Sequence, residues 1–231
     1  MNVDELNFKG NDPGAVKHGN FINYYQFHPP NSRINLLPSD AWKSFDEMVC
    51  LDVGCNAGDL TIALHKYFTE LHKTIKILGV DLDPILIKRA QVNNKNENIT
   101  FTHLDFTNDS ERIEILKNYL KDKNKFDVTF CFSITMWIHL NNGDEGLIHF
   151  IKSICEISKM IVIEPQPWKC YKTAIRRMKK SNETFPRYEK LQIRHQVEEK
   201  IEETLLQLNF IKINEIFEPK WGRKLQIFSQ A

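Results

Sequence analysis

With 231 residues, 42% of them hydrophobic and 11% aromatic, the chain can bury one sizeable core, and no Pro/Gly/Ser-rich linker divides it. Lysine and arginine number 31 against 30 acids, so the net charge of +1 excludes a uniformly basic surface and leaves only local clusters to find. No apolar run approaches the ~20 residues of a membrane span, and "MNVDELNFKG" carries acids where a signal peptide needs an apolar stretch. Five cysteines without CxxC spacing sit mostly in apolar runs, which suits buried thiols in a reducing compartment. The expectation is a soluble, cytoplasmic, metal-free monomer with no membrane partner, its residues 1–18 a flexible tail and 19–231 a single domain.

Taken in chain order, short apolar strands alternate with amphipathic helical segments. "MVCLDV" is followed by "DLTIALHKYFTELH", "IKILGV" by "DPILIKRAQVNN", "ITFTHL" by "SERIEILKNYLKD", "FDVTFCF" by "GLIHFIKSICEIS", and then "MIVIE". This alternation predicts an α/β fold with a mostly parallel sheet covered by helices. Asp83-Pro84 supplies an N-cap with proline at the first helical position, and Asp109-Ser110 is expected to start the next helix in the same way. Glu164-Pro165-Gln166-Pro167 cannot continue a central ladder. A basic insertion over 166–190 follows, then a helix around Gln192 to Leu208. "FIKINEIF" and "KLQIFSQ", joined by "EPKWGR", read as a C-terminal antiparallel hairpin.

The first strand runs into "LDVGCNAGDL", where Gly54 and Gly58 let the backbone turn tightly into a helix and approach a ligand. By itself that loop is equally a structural turn. Asp81 ends the second strand 23 residues beyond Gly58, where a carboxylate can take both hydroxyls of an adenosine ribose. Asp105 follows the third strand as an acceptor for an exocyclic amine, with Phe106 as partner for the ring. A nicotinamide dehydrogenase and an S-adenosylmethionine methyltransferase both fit this placement. Asp52 two positions before the first glycine, Asn56 in place of a middle glycine, and only 67 residues after Glu164 favour the methyltransferase. So does the terminal hairpin, which suits a class I, Rossmann-like sheet of seven strands.

Beyond the fourth strand, in "FSITMWIHLNNGDEGL", Met136, Trp137 and Ile138 read as core or as a substrate wall. Ser133, Thr135, His139 and Glu164 are candidates to surround one cavity, and Gly143-Asp144 reads as an ordinary turn. Lys169, Lys172, Arg176, Arg177, Lys179 and Lys180 stand within twelve residues that contain no acid. At helical spacing Lys169, Lys172, Arg176 and Lys180 share one face. A solvated helix is one reading. Interleaved with Trp168 and Tyr171 beside a strand end, the cations also fit a phosphate-bearing, nucleic-acid substrate.

Together, "GNFINYYQFHPP", "LDVGCNAGDL", "SITMWIHLNNGDEGL" and "EPQPWKCYK" resemble the bicoid-interacting-protein-three type of RNA methyltransferase, in particular its cytoplasmic RNA 5′-monophosphate methyltransferase branch. The resemblance runs from about Gly19 to the C-terminus. It implies methyl transfer from S-adenosylmethionine to the 5′-monophosphate of small RNA such as histidine tRNA and microRNA precursors. Residue by residue, it implies cofactor contacts at Arg33, Asp52, Gly54, Asn56, Gly58, Asp81, Asp105 and Phe106, and Phe132 joins this list. Tyr24, Tyr25 and His28 resemble residues that close over cofactor and phosphate. Met136 stands where the nuclear capping branch has a lysine, which favours the cytoplasmic branch. Tyr24, His28, His139 and Lys169 are the expected phosphate donors; Tyr25, Glu164, Gln166, Trp168, Lys172, Arg176, Arg177 and Lys180 the expected substrate contacts. Two alternatives remain at this level: a methyltransferase of a small phosphorylated or carboxylate metabolite, and an RNA-binding module without turnover.

Overall fold

The computed structural model describes residues 6–10 and 12–231. Its strands are β1 (Glu47–Val53), β2 (Thr74–Asp81), β3 (Ile99–His103), β4 (Phe126–Phe132), β5 (Ser158–Glu164), β6 (Phe210–Glu218) and β7 (Arg223–Gln230). They form one sheet in the order β3-β2-β1-β4-β5-β7-β6. Among the described residues no helix is long and apolar enough to cross a membrane. The described residues divide into two compact units, one of Ile22–Phe130 with Ile157–Ile161 and one of Cys131–Glu156 and Val162–Ala231 with the described residues up to Phe21.

In the first unit β1 pairs in parallel with β2, from Glu47↔Thr74 to Val53↔Val80, and β2 with β3, from Ile77↔Ile99 to Asp81↔His103. Every residue of β4 is buried, as a strand covered on both faces requires. Helices α1 (Tyr24–Phe27), α2 (Asn31–Ile34), α3 (Asp59–Glu70), α4 (Pro84–Asn93) and α5 (Asp109–Leu120) belong to this unit. Asp83 caps α4 as expected, its Oδ1 accepting from the Ile85 and Leu86 N–H groups at 2.8 and 3.4 Å. The cap of α5 is Asn108, one residue before the expected Asp109, because Asn108 Oδ1 reaches the Glu111 N–H; Asp109 instead pairs with Arg112 at 2.7 Å.

The register explains two glycines. Asp52, Gly79 and Phe101 are cross-strand neighbours, and with no side chain at Gly79 the Phe101 ring swings over that gap. A Cβ on Gly79 would lie 2.7 Å from the ring, and one on Gly58 2.5 Å from Phe101 Cζ and 3.0 Å from Ala90 Cβ. Cys55, Ile87, Ala90, Ile99 and Phe101 thus form an apolar floor under the glycine loop. Gly58 also has φ +84°, so Gly58→Ala is expected to cost roughly 2–4 kcal/mol from left-handed strain plus overpacking, read as a lowered Tm. Adding Phe101→Leu should recover the packing part and leave the backbone part.

In the second unit α6 (Thr135–Ile157) takes in "TMWIHLNN" but breaks at Gly143, whose φ of 76° no right-handed helix contains. Helices α7 (Trp168–Lys180) and α8 (Val197–Gln207) follow, and β6 pairs antiparallel with β7, from Phe210↔Gln230 to Glu218↔Arg223, with a bulge between Lys212 and Asn214. Of the segment read as a flexible tail, residues 1–5 and 11 lie outside the described residues. Within the described part Phe8 is exposed, but Ala15 and Val16 are buried and Asn141 Nδ2 donates to the Lys17 carbonyl at 2.8 Å; just beyond it the Trp137 indole lies directly over Gly19.

Candidate functional site

The glycine loop places three left-handed residues within five positions, Gly54 (φ 78°), Asn56 (φ 52°) and Gly58 (φ 84°). Gly54 and Cys55 both donate to the Val80 carbonyl, at 2.8 and 3.0 Å, which folds the loop over the end of β2. There Asp81 Oδ2 accepts from the Asn56 N–H and Oδ1 from the Asp83 N–H, each at 2.9 Å. A carboxylate has about four lone-pair sites, so the two oxygens retain capacity for a ribose diol. Asp52 is buried, with Oδ2 accepting from Thr61 Oγ1 at 2.6 Å. Asp105 Oδ1 accepts from both the N–H and Oγ1 of Thr107, at 3.0 and 2.7 Å, leaving Oδ2 without a hydrogen bond among the described residues. Phe106 is buried, and its carbonyl accepts from Arg112 at 2.9 Å.

The N-terminal aromatics of this unit gather around a buried cation. Arg33 is fully buried, and its Nη2 donates to the Tyr24 hydroxyl at 2.8 Å. Tyr24 contacts the His28 ring, with centroids 4.9 Å apart. Tyr25, expected at the substrate, instead donates its hydroxyl to the Cys55 carbonyl at 3.3 Å and so braces the glycine loop. Burial, then the nearby Asp52, keeps that hydroxyl neutral by raising its pKa. A cofactor with an adenosine at one end and an amino-acid carboxylate at the other fits this donor set: carboxylates at Asp81 and Asp105, a pliant glycine loop, and the Arg33 guanidinium.

Burial pushes Asp52 up to about 6, against the lowering Thr61 hydrogen bond, and pushes Asp81 up to about 6, against the lowering Asp83 and Asn56 N–H groups. Both therefore titrate above the usual carboxylate range, and their protonated forms are favoured as pH falls through 6. If the bound cofactor requires the anions, its Kd should rise about tenfold per pH unit per carboxylate below that point. Calorimetric titration of cofactor alone between about pH 7.5 and 5 checks this, and a flat Kd over that range contradicts it.

The second unit holds the remaining candidates. Ser133 Oγ, Glu164 Oε1 and Arg223 Nη1 form a closed triangle, with the Arg223–Glu164 pair at 2.8 Å. Gln166 Oε1 accepts from Thr135 Oγ1 and the Met136 N–H at 3.1 and 3.0 Å, while its Nε2 donates to the Ser133 carbonyl. Both amide atoms of Gln166 thus fasten the start of α6 rather than facing a substrate. Ser133, Thr135, Glu164 and Gln166 are brought together; His139 is not among them. It is fully buried, with Nε2 on Asp144 Oδ1 at 2.8 Å and Nδ1 on the Tyr171 hydroxyl at 3.0 Å. With both nitrogens engaged in the interior, His139 is corrected from phosphate donor to internal link. Phe132 is buried at the end of β4.

Helix α7 divides cleanly. Trp168, Tyr171, Ala174, Ile175 and Met178 are buried, while Lys169, Lys172, Arg176, Arg177, Lys179 and Lys180 are exposed. Trp168, expected to stack on nucleic acid, stacks instead on Tyr171 and Tyr188, with centroids at 4.8 and 5.7 Å. Arg177 lies along Gly14, where a Cβ would come within 3.1 Å, and Lys169 Nζ rests on Gly222 of the β6–β7 turn. Sequence reasoning missed Arg223 and Asp144. A buried acid at Glu164 demands a cation, which was the one available signal for Arg223.

A family profile described as Bicoid-interacting protein 3 (Bin3) matches residues 126–230, and one described as a methyltransferase domain matches 51–156. The pre-miRNA 5′-monophosphate methyltransferase of Xenopus laevis is 38% identical over 94% of this chain and 93% of its own length. The RNA 5′-monophosphate methyltransferase of Homo sapiens is 38% identical over 94% of this chain and 81% of its own. Among solved structures, the N-methyltransferase NodS from Bradyrhizobium japonicum aligns with a TM-score of 0.58 at 13% identity, over 88% of this chain and 98% of that one, a likeness of fold alone. By sequence, the chain belongs to the Bicoid-interacting protein 3 family of methyltransferases.

Proposed function

We propose that the protein transfers a methyl group from S-adenosylmethionine to the 5′-monophosphate of a small RNA. The observation that carries this reading is α7, which sets Lys169, Lys172, Arg176 and Lys180 in solvent along one face. It does so in a chain 38% identical over nearly its whole length to a protein named for RNA 5′-monophosphate methylation. The cofactor, when bound, supplies an electrophilic methyl group on a sulfonium. A terminal phosphate has a second pKa of about 6, so near neutrality its oxygen is already an anion and neither general base nor metal is called for. What the chain's residues must do is place and hold. Arg33, Asp52, Asp81, Asp105 and the loop of Gly54, Asn56 and Gly58 hold the cofactor. In the first unit Tyr24 and His28 are the phosphate donors of this reading; in the second, Lys169, Lys172, Arg176, Arg177 and Lys180 hold the RNA through its phosphates. Histidine tRNA and microRNA precursors are the substrates we favour. A reducing, cytoplasmic setting suits cysteines that are free, four of them buried.

Mass spectrometry of the 5′ nucleotide tests the reaction: the methyl group should sit on phosphate, and methylated base or ribose would overturn the assignment. Replacing Arg176, Arg177 and Lys180 by alanine should weaken RNA binding uniformly across sequences and make the slope of log Kd against log salt shallower by about 0.7 per lost phosphate contact. An unchanged slope would leave α7 a merely solvated helix.

A further inference from the structure

We propose that Asp144, His139 and Tyr171 form a positioning relay that sets the rotation and axial position of α7 for RNA, an inference that rests on the reading of α7 given above. The apolar face of α7 is held by burial, which is non-directional and tolerates a sliding or rolling helix. At the start of the helix no side chain caps the first turn, and the nearest side-chain anchor is Gln166, just outside it. Among the described residues, the side-chain hydrogen bond that ties the buried face to the interior is that of the Tyr171 hydroxyl to His139 Nδ1, at 3.0 Å.

The donors fix the direction of the chain. Asp144 Oδ1 accepts from His139 Nε2 at 2.8 Å, so Nε2 carries the hydrogen and Nδ1 is left to accept from the Tyr171 hydroxyl. Burial lowers the His139 pKa, Asp144 pulling the other way, which favours the neutral ring this arrangement needs. Asp144 follows the break at Gly143 and also accepts the Gln192 N–H at 2.7 Å and the Ile193 N–H at 3.1 Å. That grip anchors the segment carrying Tyr188, Arg194 and His195, all of which pack on Trp168 of α7. One carboxylate therefore steadies α7 twice, through Tyr171 and through the stack on Trp168. A connected network of this kind, with His139 and Tyr171 buried and Asp144 partly exposed, selects one arrangement among several that apolar packing alone would accept.

Tyr171→Phe in the full chain tests this, because it removes the hydroxyl and keeps the ring stacks. The expected result is a KM for 5′-monophosphorylated RNA raised about three- to tenfold, the worth of one buried hydrogen bond. The salt slope of RNA binding should become shallower, while kcat and the cofactor Kd stay within about twofold. His139→Gln, which keeps a donor and an acceptor, should hold the RNA KM near that of the parent, and His139→Leu should raise it as Tyr171→Phe does. A parent-like KM and slope in Tyr171→Phe would overturn the relay, as would a parallel loss of cofactor affinity, which marks general loosening. Should Tyr171→Phe not fold, the His139→Gln and His139→Leu pair decides by the same readout. Arg176→Ala with Lys180→Ala in the same assay separates the two claims: if that variant binds RNA as the parent does, the reading of α7 fails, whereas an effect there with none in Tyr171→Phe defeats the relay alone.

Discussion

Asp81→Ala is expected to lower cofactor affinity by roughly 10²–10⁴-fold, the equivalent of two charge-assisted hydrogen bonds to a ribose diol. The expected effect is large because, in the proposed reading, Asp81 has two jobs. Its oxygens accept from the Asn56 and Asp83 N–H groups, so its removal frees the glycine loop at the same time as it deletes the ribose acceptors. Asp81→Asn separates them: an amide oxygen can keep one backbone bond while the second site becomes a donor, and an intermediate loss is expected. The asparagine variant should also lose part of the affinity decline below pH 6, because one of the two carboxylates that burial pushes up to about 6 is gone. Calorimetry for binding, with circular dichroism to show that the fold persists, measures both. Full affinity in a folded Asp81→Ala protein would remove the acid from the site.

The second large effect concerns stability. Glu164→Ala leaves the Arg223 guanidinium beside Ser133 without its carboxylate, and breaking a buried ion pair on one side typically costs about 3–5 kcal/mol. For a chain of this size that is a Tm lowered by roughly 10 °C. Arg223→Ala should cost a similar amount, since the remaining carboxylate has only 3% of its side chain exposed. Replacing both at once, with Glu164→Gln and Arg223→Met, should cost less than the two single losses summed, because neither charge is left stranded. If Glu164 contacted substrate instead of holding the fold, Glu164→Gln would melt like the parent and lose only activity. Differential scanning calorimetry beside a methyl-transfer assay separates the two.

The sheet was readable because its physics is local. A parallel strand buried on both faces is a short apolar run, and the runs at "MVCLDV", "IKILGV" and "FDVTFCF" sit within β1, β2 and β4. The hairpin announced itself by the turn residues of "EPKWGR". The places of the glycine loop, Asp81 and Asp105 were readable for a related reason: they lie at or just after strand ends, so strand boundaries locate them. Less could be read in the other half. Glu164 and Arg223 are 59 residues apart, and His139 and Tyr171 are 32 apart; no periodicity links such pairs. Trp168 is different, since the information was present. Trp168, Tyr171, Ile175 and Met178 recur at helical spacing opposite the lysines, which marks Trp168 as core. The cap at Asn108 was missed by one position because Asn108 and Asp109 are both good capping residues, and only Asn108 stands three before Glu111.

The central claim is tested most directly by radiolabelled methyl transfer to one RNA sequence carrying, in turn, a 5′-monophosphate, a 5′-triphosphate and a 5′-hydroxyl. The account predicts label on the monophosphorylated RNA, released when the 5′ nucleotide is removed, with little on the triphosphate and none on the hydroxyl. Equal labelling of the dephosphorylated RNA, or no label on any of the three despite measurable RNA affinity, would contradict it.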